Sequence, residues 1–239
     1  MADNLFGHHI SKQFNAELED IRHRVLAMGG LVEQQIADAI QSLVEGSSGL
    51  AQRVKDNEIK VNALEVALDE ECTQVLARRQ PTASDLRLVI AVIKTITDLE
   101  RIGDQAEKIA RIGEQLAELE RPRNQYMELQ HLADGVKAML HEVLDAFARM
   151  DAEAAVRVAR RDEIIDNEYE AVMRQTVTFM MEDSRSIKRS LEIIWAARAM
   201  ERIGDHAKNI CEYVIYLVKG KDVRHISFDE KEAAARSDR

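Results

Sequence analysis

Two short acidic motifs have the residue types and spacing of a cation site. Glu100 and Asp104 lie four residues apart in Glu-Arg-Ile-Gly-Asp, and Glu201 and Asp205 end the same five-residue motif 101 positions later. On a helix, side chains at this spacing lie about 40° apart on one face, one turn from each other. Because the two carboxylates of each pair repel one another, we interpret the repeated motif as a site for a bound cation.

A purely structural interpretation of the motifs stays open. Pairs of acids at this spacing also occur on solvated helix faces, and Arg101, Lys108 and Arg198 are close enough in sequence to neutralise them. Each motif also contains a glycine, Gly103 or Gly204. A glycine inside a helix costs about 1 kcal/mol relative to alanine, and close approach of another backbone is a usual compensation. The motifs are therefore predicted to lie on tightly packed helices.

Weaker ligand candidates lie on the helix before each motif. The segments that start at Glu58 and Glu163 align at an offset of 105 residues, and an antiparallel hairpin would bring their polar residues opposite the motifs. These candidates are Asn62, Glu65, Asp166, Asn167 and Glu170. Asp38 on the first helix and Glu142 on its counterpart are weaker still. Carboxylates and amides without cysteine form a hard oxygen site, which suits a divalent or trivalent ion such as iron, manganese or magnesium better than zinc or copper. Spacing alone does not choose the ion.

The composition predicts an all-α protein of long amphipathic helices. Of the 239 residues, 46% are hydrophobic, 32% charged and only 4% aromatic, and there are just two prolines. Apolar residues recur every three or four positions over long stretches, as on the buried face of a helix. The predicted helices run from about 8 to 45, 50 to 79, 85 to 119, 126 to 149, 152 to 181 and 186 to 218.

The repeat predicts two tandem, similar three-helix bundles. We place the first bundle in residues 1–120 and the second in 125–220, joined by the short polar connection Arg121–Asn124. Gly220 is expected to stop the last helix. The tail, 221–239, consists mostly of charged and small residues and is expected to be frayed or disordered.

Charge and hydropathy argue against several classes of protein. The net charge of −10 disfavours direct binding to nucleic acid, since phosphate binding needs a basic surface. No apolar run approaches the roughly 18 residues of a membrane span, and the first residues do not form a signal peptide, so we predict a cytoplasmic protein without membrane insertion. Cys72 and Cys211 lack metal-binding spacing and are interpreted as reduced, packed thiols.

Three segments and the repeated motif make the chain resemble the PhoU family of phosphate-transport regulators. They are His9–Ser11 with Gln13–Leu18, the turn Arg79–Arg87, and the two Glu-Arg-Ile-Gly-Asp copies. The resemblance covers nearly the whole chain and implies the same double three-helix bundle. It also implies metal binding, including iron clusters in some members, at Glu100 with Asp104 and at Glu201 with Asp205. Lys60–Val61 stand where similar proteins often have a further acid, so the first site is expected to be poorer in carboxylates than the second.

The resemblance implies a regulatory function without catalysis. Members of the family act between the phosphate ABC importer, through its ATPase, and a sensor histidine kinase with its response regulator, and they repress the starvation response when phosphate is plentiful. A homodimer is expected. The absence of a P-loop, a nucleotide fingerprint and a nucleophile motif agrees with an adaptor.

The rival interpretation is a ferritin-like carboxylate enzyme or a metal-storage protein. That chemistry requires two Glu-x-x-His pairs on facing helices, and the chain has only one, Glu128 with His131. His206 follows Asp205 but points about 100° away from it on a helix, so it is interpreted as a flanking residue before a ligand. A helical scaffold without any metal is a third alternative.

Overall fold

The chain folds into long α-helices, as its periodicity predicts. The computed structural model describes residues 12–119 and 127–237, and no strand occurs among them. The helices are α1 (Lys12–Glu45), α2 (Ser48–Arg79), α3 (Ala83–Ala117), α4 (Met127–Arg149), α5 (Ala152–Ala159), α6 (Asp162–Glu182), α7 (Ile187–Lys219) and α8 (Phe228–Arg236), with a 3₁₀ turn at Ser184–Ser186.

Local signals fix where the helices begin and end. Gly46 adopts a left-handed conformation after α1, and the Ser47 side chain accepts a hydrogen bond from the Leu50 amide at the start of α2. Gln80, also left-handed, ends α2 next to Pro81, which cannot continue a helix. Gly220 ends α7, as predicted, with φ of 72°.

Two tandem three-helix bundles form the molecule, which confirms the predicted fold class. In the first half α1, α2 and α3 pack against one another, and in the second half α4 and the α5–α6 segment pack on α7. The most extensive contact between the halves joins α3 to α7, the two helices that carry the acidic motifs. One continuous apolar core extends through both halves, with Leu99, Ile102 and Ile203 among its fully buried members.

Close helix approach explains two of the glycines. A Cβ atom at Gly113 of α3 would lie 2.8 Å from Leu43 Cα of α1, so only glycine allows these backbones to come so near. At Gly29 a Cβ would lie 2.7 Å from a methyl group of Leu144 in α4. The chain remains helical through Gly29, and this glycine allows close packing between the halves.

The prediction of one helix from 152 to 181 was wrong. α5 ends at Ala159 and α6 begins at Asp162, with Arg160 and Arg161 in the break. The two arginines turn to different partners: Arg160 pairs with Glu232 at 2.9 Å, and Arg161 pairs with Glu142 at 2.7 Å. Asp162 and Glu163 then fall in the first turn of the new helix, where carboxylates are stabilised by the helix dipole.

The C-terminal segment also departs from its predicted disorder. α8 opens with a capping box, in which Ser227 and Glu230 cap each other, and it packs on α5 and α7. Its Lys231 forms a buried ion pair with Glu212 of α7, Nζ to Oε1 2.6 Å. The C-terminal segment is therefore ordered despite its many charged residues, because an ion pair and a helix cap stabilise it.

Some predictions fall on residues outside the described ranges. The connection Arg121–Asn124 and the segment His9–Ser11 lie there, as does the side chain of Glu128. Among the described residues, no helix is both long enough and apolar enough to cross a bilayer.

Candidate metal centres

The predicted acidic pairs each lie on one face of a central helix. Glu100 on α3 is half-buried and Asp104 is exposed, while on α7 Glu201 is buried and Asp205 exposed. Burial and the neighbouring Asp104 raise the pKa of Glu100, and burial and Asp205 raise the pKa of Glu201. Both pairs therefore include a carboxyl group that resists ionisation because it is partly dehydrated and has a like charge beside it.

Four carboxylates on the adjacent helices α2 and α3 influence one another electrostatically, and we call them the first carboxylate set: Glu58, Glu65, Glu100 and Asp104. Burial raises the pKa of Glu65, and the charges of Asp69 and Asp104 raise it further. The charges of Asp104, Glu65 and Glu58 act in the same direction on Glu100. That the first site is poorer in carboxylates than the second stays a prediction; it did not include Glu58, whose charge adds to the effect of burial and of Asp104 in raising the pKa of Glu100.

Glu58 is the most buried member of the first carboxylate set. Burial is the largest cause of its raised pKa, and Asp104 and Glu107 add to the shift. Hydrogen bonds from Gln35 and Asn62 oppose it, and Gln35 Nε2 donates to Glu58 Oε2 at 2.6 Å. The other oxygen of Glu58 and the Gln35 carbonyl oxygen are buried without a hydrogen-bond partner. Two hard oxygen atoms are thus left unsatisfied, which is costly unless a cation or water binds them.

Little positive charge offsets the first carboxylate set. Arg101 lowers the pKa of Glu65 and of Glu100 through its charge alone. Within residues 12–119 and 127–237, none of the four carboxylates forms a direct salt bridge. The first carboxylate set therefore carries excess negative charge, and its carboxylates are partly removed from water.

A second carboxylate set lies between α6 and α7, at Asp162, Asp166, Glu201 and Asp205. Burial raises the pKa of Asp166, and the charges of Asp162 and Asp205 add to that shift. One oxygen of Glu201, Oε2, is buried without a hydrogen-bond partner. In donor chemistry this set matches the first one.

Two basic side chains form ion pairs with acids of the second carboxylate set. Lys208 Nζ forms a salt bridge with the buried Asp162. Arg198 Nη1 lies 2.6 Å from Glu201 Oε1, and its guanidinium is stacked over the Tyr169 ring at 5.7 Å. The charges of Lys208 and Arg198 lower the pKa of Asp166. The structural interpretation of the motif therefore holds in part for the second half, where protein cations already offset some of the charge.

The structure corrects the alignment of the two halves by one residue. Glu58 Oε2 lies 2.8 Å from where a Cβ of Gly103 would be, and Asp162 Oδ1 lies 3.8 Å from the same position at Gly204. Glu58 thus corresponds to Asp162, an offset of 162 − 58 = 104 and not 105. Sequence reasoning missed both of these buried acids, and the signal that could have found them was this alternative register.

The corrected register shows which of the weaker ligand candidates lie at a carboxylate set and which do not. Asn62 corresponds to Asp166, and both lie with their carboxylate sets. Asn167 is exposed and donates to the Glu163 carbonyl oxygen at 2.6 Å, and the exposed Glu170 pairs with Arg174 at 3.2 Å. Neither of these two is brought to the second carboxylate set.

The weakest candidates have other partners. Asp38 is buried and pairs with Arg53 at 3.0 Å, and Glu142 pairs with Arg161. His206 also has a structural partner: its Nδ1 lies 2.7 Å from Oδ1 of the buried Asp98, which joins α7 to α3. His131 is exposed.

The two cysteines are buried and free, as predicted. Burial raises the pKa of the Cys72 thiol to about 12, and it raises the pKa of Cys211 as well. Buried thiols with raised pKa values are poor metal ligands, because metals bind the thiolate. The candidate chemistry is therefore that of oxygen ligands alone.

The carboxylates do not converge on one point. No group of three or more His, Cys, Asp or Glu side chains within the described part of the chain lies close enough together to hold an ion. Binding an ion therefore requires side-chain rotation, which the exposed Asp104 and Asp205 have room to make. The hard oxygen donors, the unsatisfied buried oxygens and the mutual repulsion fit a hard cation.

Comparison with known proteins identifies related chains. The family model described as PhoU domain matches twice, at residues 25–113 and 129–214, once in each half. A Pseudomonas aeruginosa protein named phosphate-specific transport system accessory protein PhoU homolog is 55% identical over 219 residues, which cover 92% of this chain and 90% of that one. The Escherichia coli (strain K12) accessory protein PhoU is 52% identical over 222 residues, covering 93% and 92%.

Solved structures show the same fold. The crystal structure of PhoU from Pseudomonas aeruginosa superposes with a TM-score of 0.85 at 54% identity, covering 87% of this chain and all of that one. The phosphate transport system regulatory protein PhoU from Streptococcus pneumoniae gives a TM-score of 0.81 at 30% identity, covering 88% and 99%.

Proposed function

The chain belongs to the PhoU family, and on that premise we propose that it is a non-enzymatic accessory protein of a phosphate-specific transport system that regulates phosphate uptake. The observation that carries this proposal is identity above one half over nine-tenths of both chains with proteins of that name. The shared fold with PhoU crystal structures supports it.

In this proposal the protein is an adaptor in the cytoplasm. It contacts the ATPase of the phosphate ABC importer and a phosphate-sensing histidine kinase, and it represses the starvation response when phosphate is plentiful. Long, preformed helix faces such as those of α2 and α6 suit such contacts, since a rigid surface loses little conformational entropy on binding.

A pull-down tests the adaptor function. Tagged chain is used to capture the importer ATPase and the kinase from cells grown at high and at low phosphate. We expect both partners to be retained, with the kinase signal higher at high phosphate. Retention of neither partner at either phosphate level would contradict the proposal, and a tagged unrelated helical bundle is the control for nonspecific capture.

We also propose that both carboxylate sets bind a hard metal ion. Glu58, Glu100 and Asp104 would hold it in the first half, and Asp162, Glu201 and Asp205 in the second. When bound, the ion supplies positive charge that offsets the repulsion within each set. Because each set draws its carboxylates from two helices, an ion there joins α2 to α3 and α6 to α7, which would stiffen the bundles.

Metal content tests this second proposal. Protein purified without chelator is assayed for iron, manganese and magnesium by mass spectrometry, beside a variant with Glu201→Ala and Asp205→Ala. We expect less metal in the variant, by the share that the second set holds, at unchanged helix content in circular dichroism. Equal metal in both proteins would count against the site, and a large loss of helix would assign the two acids a structural role.

Activity assays separate the adaptor from the rival metalloenzyme. In oxidase and phosphatase assays on iron- or manganese-loaded protein, we expect no turnover above that of the free ion. Turnover that is lost in the same double variant would instead favour the ferritin-like enzyme.

A further inference from the structure

A buried ion pair fastens α8 to the second bundle. Lys231 Nζ of α8 lies 2.6 Å from Glu212 Oε1 of α7, and both side chains are more than nine-tenths buried. The other buried residues of α8 are small, Ala234 and Ala235. A helix of nine residues is not stable in water by itself, so α8 is held in place by its contacts with α5 and α7. Loss of the buried ion pair would be strongly destabilising, because it leaves a charge without compensation.

Other polar contacts of α8 lie nearer the surface. Arg160 Nη2, in the break between α5 and α6, lies 2.9 Å from Glu232 Oε1, and both side chains are partly exposed. The guanidinium of Arg160 also lies 5.7 Å from the centre of the Phe228 ring. Lys219 Nζ donates to the carbonyl oxygen of Ser237, just after the helix, at 3.0 Å. Exposed contacts of this kind contribute little to stability, so the docking of α8 depends mainly on its buried ion pair.

Glu212 has a second basic neighbour on its own helix. Lys208 precedes it by four residues, so the two side chains lie about 40° apart on one face of α7. The ammonium group of Lys208 forms an ion pair with Asp162 of α6. Burial opposes the charge of Lys208, but its pKa is raised by the hydrogen bond and charge of Asp162 and by the charges of Glu212 and Asp166. Lys208 is therefore within electrostatic reach of Glu212 while it is bound to the second carboxylate set.

The first half has a different order of charges at the matching positions. Glu107 and Arg111 of α3 stand where α7 has Lys208 and Glu212, at the offset of 101 residues between the two motifs. Burial is the largest cause of the raised pKa of Glu58, and the charge of Glu107 adds to it. The lysine that connects the second carboxylate set to Glu212 is therefore a feature of the second half and not a requirement of the repeated fold.

We propose that α8 is a latch that opens when a hard cation occupies the second carboxylate set, an inference that rests on the metal binding proposed above. With Asp162 engaged by a cation, Lys208 loses its ion-pair partner and its ammonium group is repelled. Lys208 then turns to Glu212, where it competes with Lys231 for the same carboxylate. Once Lys231 loses its buried partner, α8 leaves α5 and α7. Because coupling between two equilibria is reciprocal, undocking of α8 also strengthens cation binding at the second set.

Hydrogen–deuterium exchange in the full-length chain tests the latch. Exchange of the α8 amides is followed by mass spectrometry in the presence of chelator, since these amides are protected only while α8 is docked. A double variant, Asp162→Asn with Asp166→Asn, removes two α6 charges that act on Lys208 and so imitates their neutralisation by a cation. Adding Lys208→Met gives a triple variant without the competing ammonium group. The matched control is Glu163→Gln with Glu170→Gln, which removes two exposed acids from the same helix.

In chelator, we expect α8 of the double variant to exchange at least about tenfold faster than α8 of wild type, while the α1 amides keep their protection. The triple variant should return to the wild-type rate, because Lys231 again has Glu212 to itself, and the control should exchange like wild type. Unchanged exchange of α8 in the double variant, or fast exchange that persists in the triple variant, would overturn the latch.

Mn²⁺ added to wild type tests the trigger. We expect α8 to exchange faster as Mn²⁺ binds, and Lys208→Met to bind Mn²⁺ without this change. Binding at the second set is measured separately, by isothermal titration of wild type and of Glu201→Gln with Asp205→Asn. If Mn²⁺ binds there and α8 stays protected, the latch is refuted while the metal site stands. If no Mn²⁺ binds there, the metal site is refuted and the cation trigger with it, whatever the exchange of the variants shows.

Discussion

The first and second carboxylate sets share three of their four helix positions but differ in what balances their charge. The first has two amides, Gln35 and Asn62, which donate hydrogen bonds to Glu58, and the charge of Arg101 lowers the pKa of Glu65 and Glu100. The second has Lys208 and Arg198 in direct contact with its acids. The two copies of the motif therefore differ in electrostatic surroundings. The first copy has little positive charge near it, and the second is partly neutralised by Lys208 and Arg198.

This difference indicates which set depends more on an added cation. A carboxylate with a protein cation beside it has less to gain from a metal ion, and the ammonium or guanidinium group also competes for the oxygen atoms. We therefore expect the first carboxylate set to be the tighter metal site and the second to depend more on its salt bridges. Four measurements test this expectation.

Replacing the buried acid of each set should give the largest effect, with opposite signs. In metal-free protein, Asp162→Ala leaves Lys208 without its partner and should lower the free energy of unfolding by roughly 2 kcal/mol. Glu58→Gln removes a buried like charge and retains an acceptor for Gln35, so its effect should be neutral or stabilising by up to about 1 kcal/mol. Urea unfolding in the presence of chelator measures both. Equal losses of unfolding free energy in the two variants would refute the proposed electrostatic difference between the two carboxylate sets.

Metal affinity should respond more to the first motif than to the second. Glu100→Gln with Asp104→Asn is expected to raise the dissociation constant of the tighter site at least about tenfold, which is about 1.4 kcal/mol. The matched pair Glu201→Gln with Asp205→Asn should leave that constant within about threefold, since it belongs to the other site. Isothermal titration with Mn²⁺ separates the two. The reverse ranking would make the second set the main site.

Raising the pH should destabilise the metal-free protein. The raised pKa values of Glu58, Glu65 and Glu100 mean that the native state holds protons which the unfolded chain has already released, so stability is lost as the pH rises above about 4.5 through the raised values.

Melting temperatures between pH 5 and 8 test this dependence, because Asp183, Asp222 and Glu230 have lowered pKa values and are ionised throughout that range. We expect a shallower decline in Glu58→Gln. With Mn²⁺ present the trend should reverse, since protons compete with the metal for carboxylates. If the melting temperature of wild type declines with pH in the same way with Mn²⁺ as with chelator, this would argue against metal binding at these groups.

The two motif glycines should give the smallest effects. Alanine gains about 1 kcal/mol in helix propensity. At Gly103 that gain is offset because the Glu58 carboxylate must move and weaken its bond to Gln35, whereas at Gly204 the new Cβ meets methyl groups of Ile165 at 3.1 and 3.2 Å. Both variants should change stability by less than about 1 kcal/mol, but only Gly103→Ala should weaken Mn²⁺ binding to the first set. Equal Mn²⁺ affinity in the two variants would indicate that Glu58 does not take part in the first metal site.

Much of the architecture could be predicted from local patterns. Apolar periodicity located the helices of both halves, Gly220 marked the end of the last long helix, and the repeated Glu-Arg-Ile-Gly-Asp motif indicated the tandem organisation. These features follow from short-range steric and hydrogen-bonding rules, which act over a few residues and leave a clear mark in the sequence.

The failures have longer-range causes. The break at Arg160 depends on partners in α4 and α8, and the order of α8 depends on the buried pair between Lys231 and Glu212. The one-residue error in register hid Glu58 and Asp162, because two similar helix segments align almost equally well at offsets of 104 and 105. On a helix, a shift of one residue turns every side chain by about 100°, so the error moved buried acids out of the predicted site.

The sequence by itself determined that this protein is helical, duplicated and acidic at two equivalent places on its central helices. Only the tertiary structure decided which acids join those places, which of them are dehydrated, and that Lys208 and Arg198 balance one set, whereas the described residues make no such contact with the other. Composition and spacing fix what a helix face carries. The energy of a charge depends on its distance from other charges and from water, and these distances are set by how the helices pack.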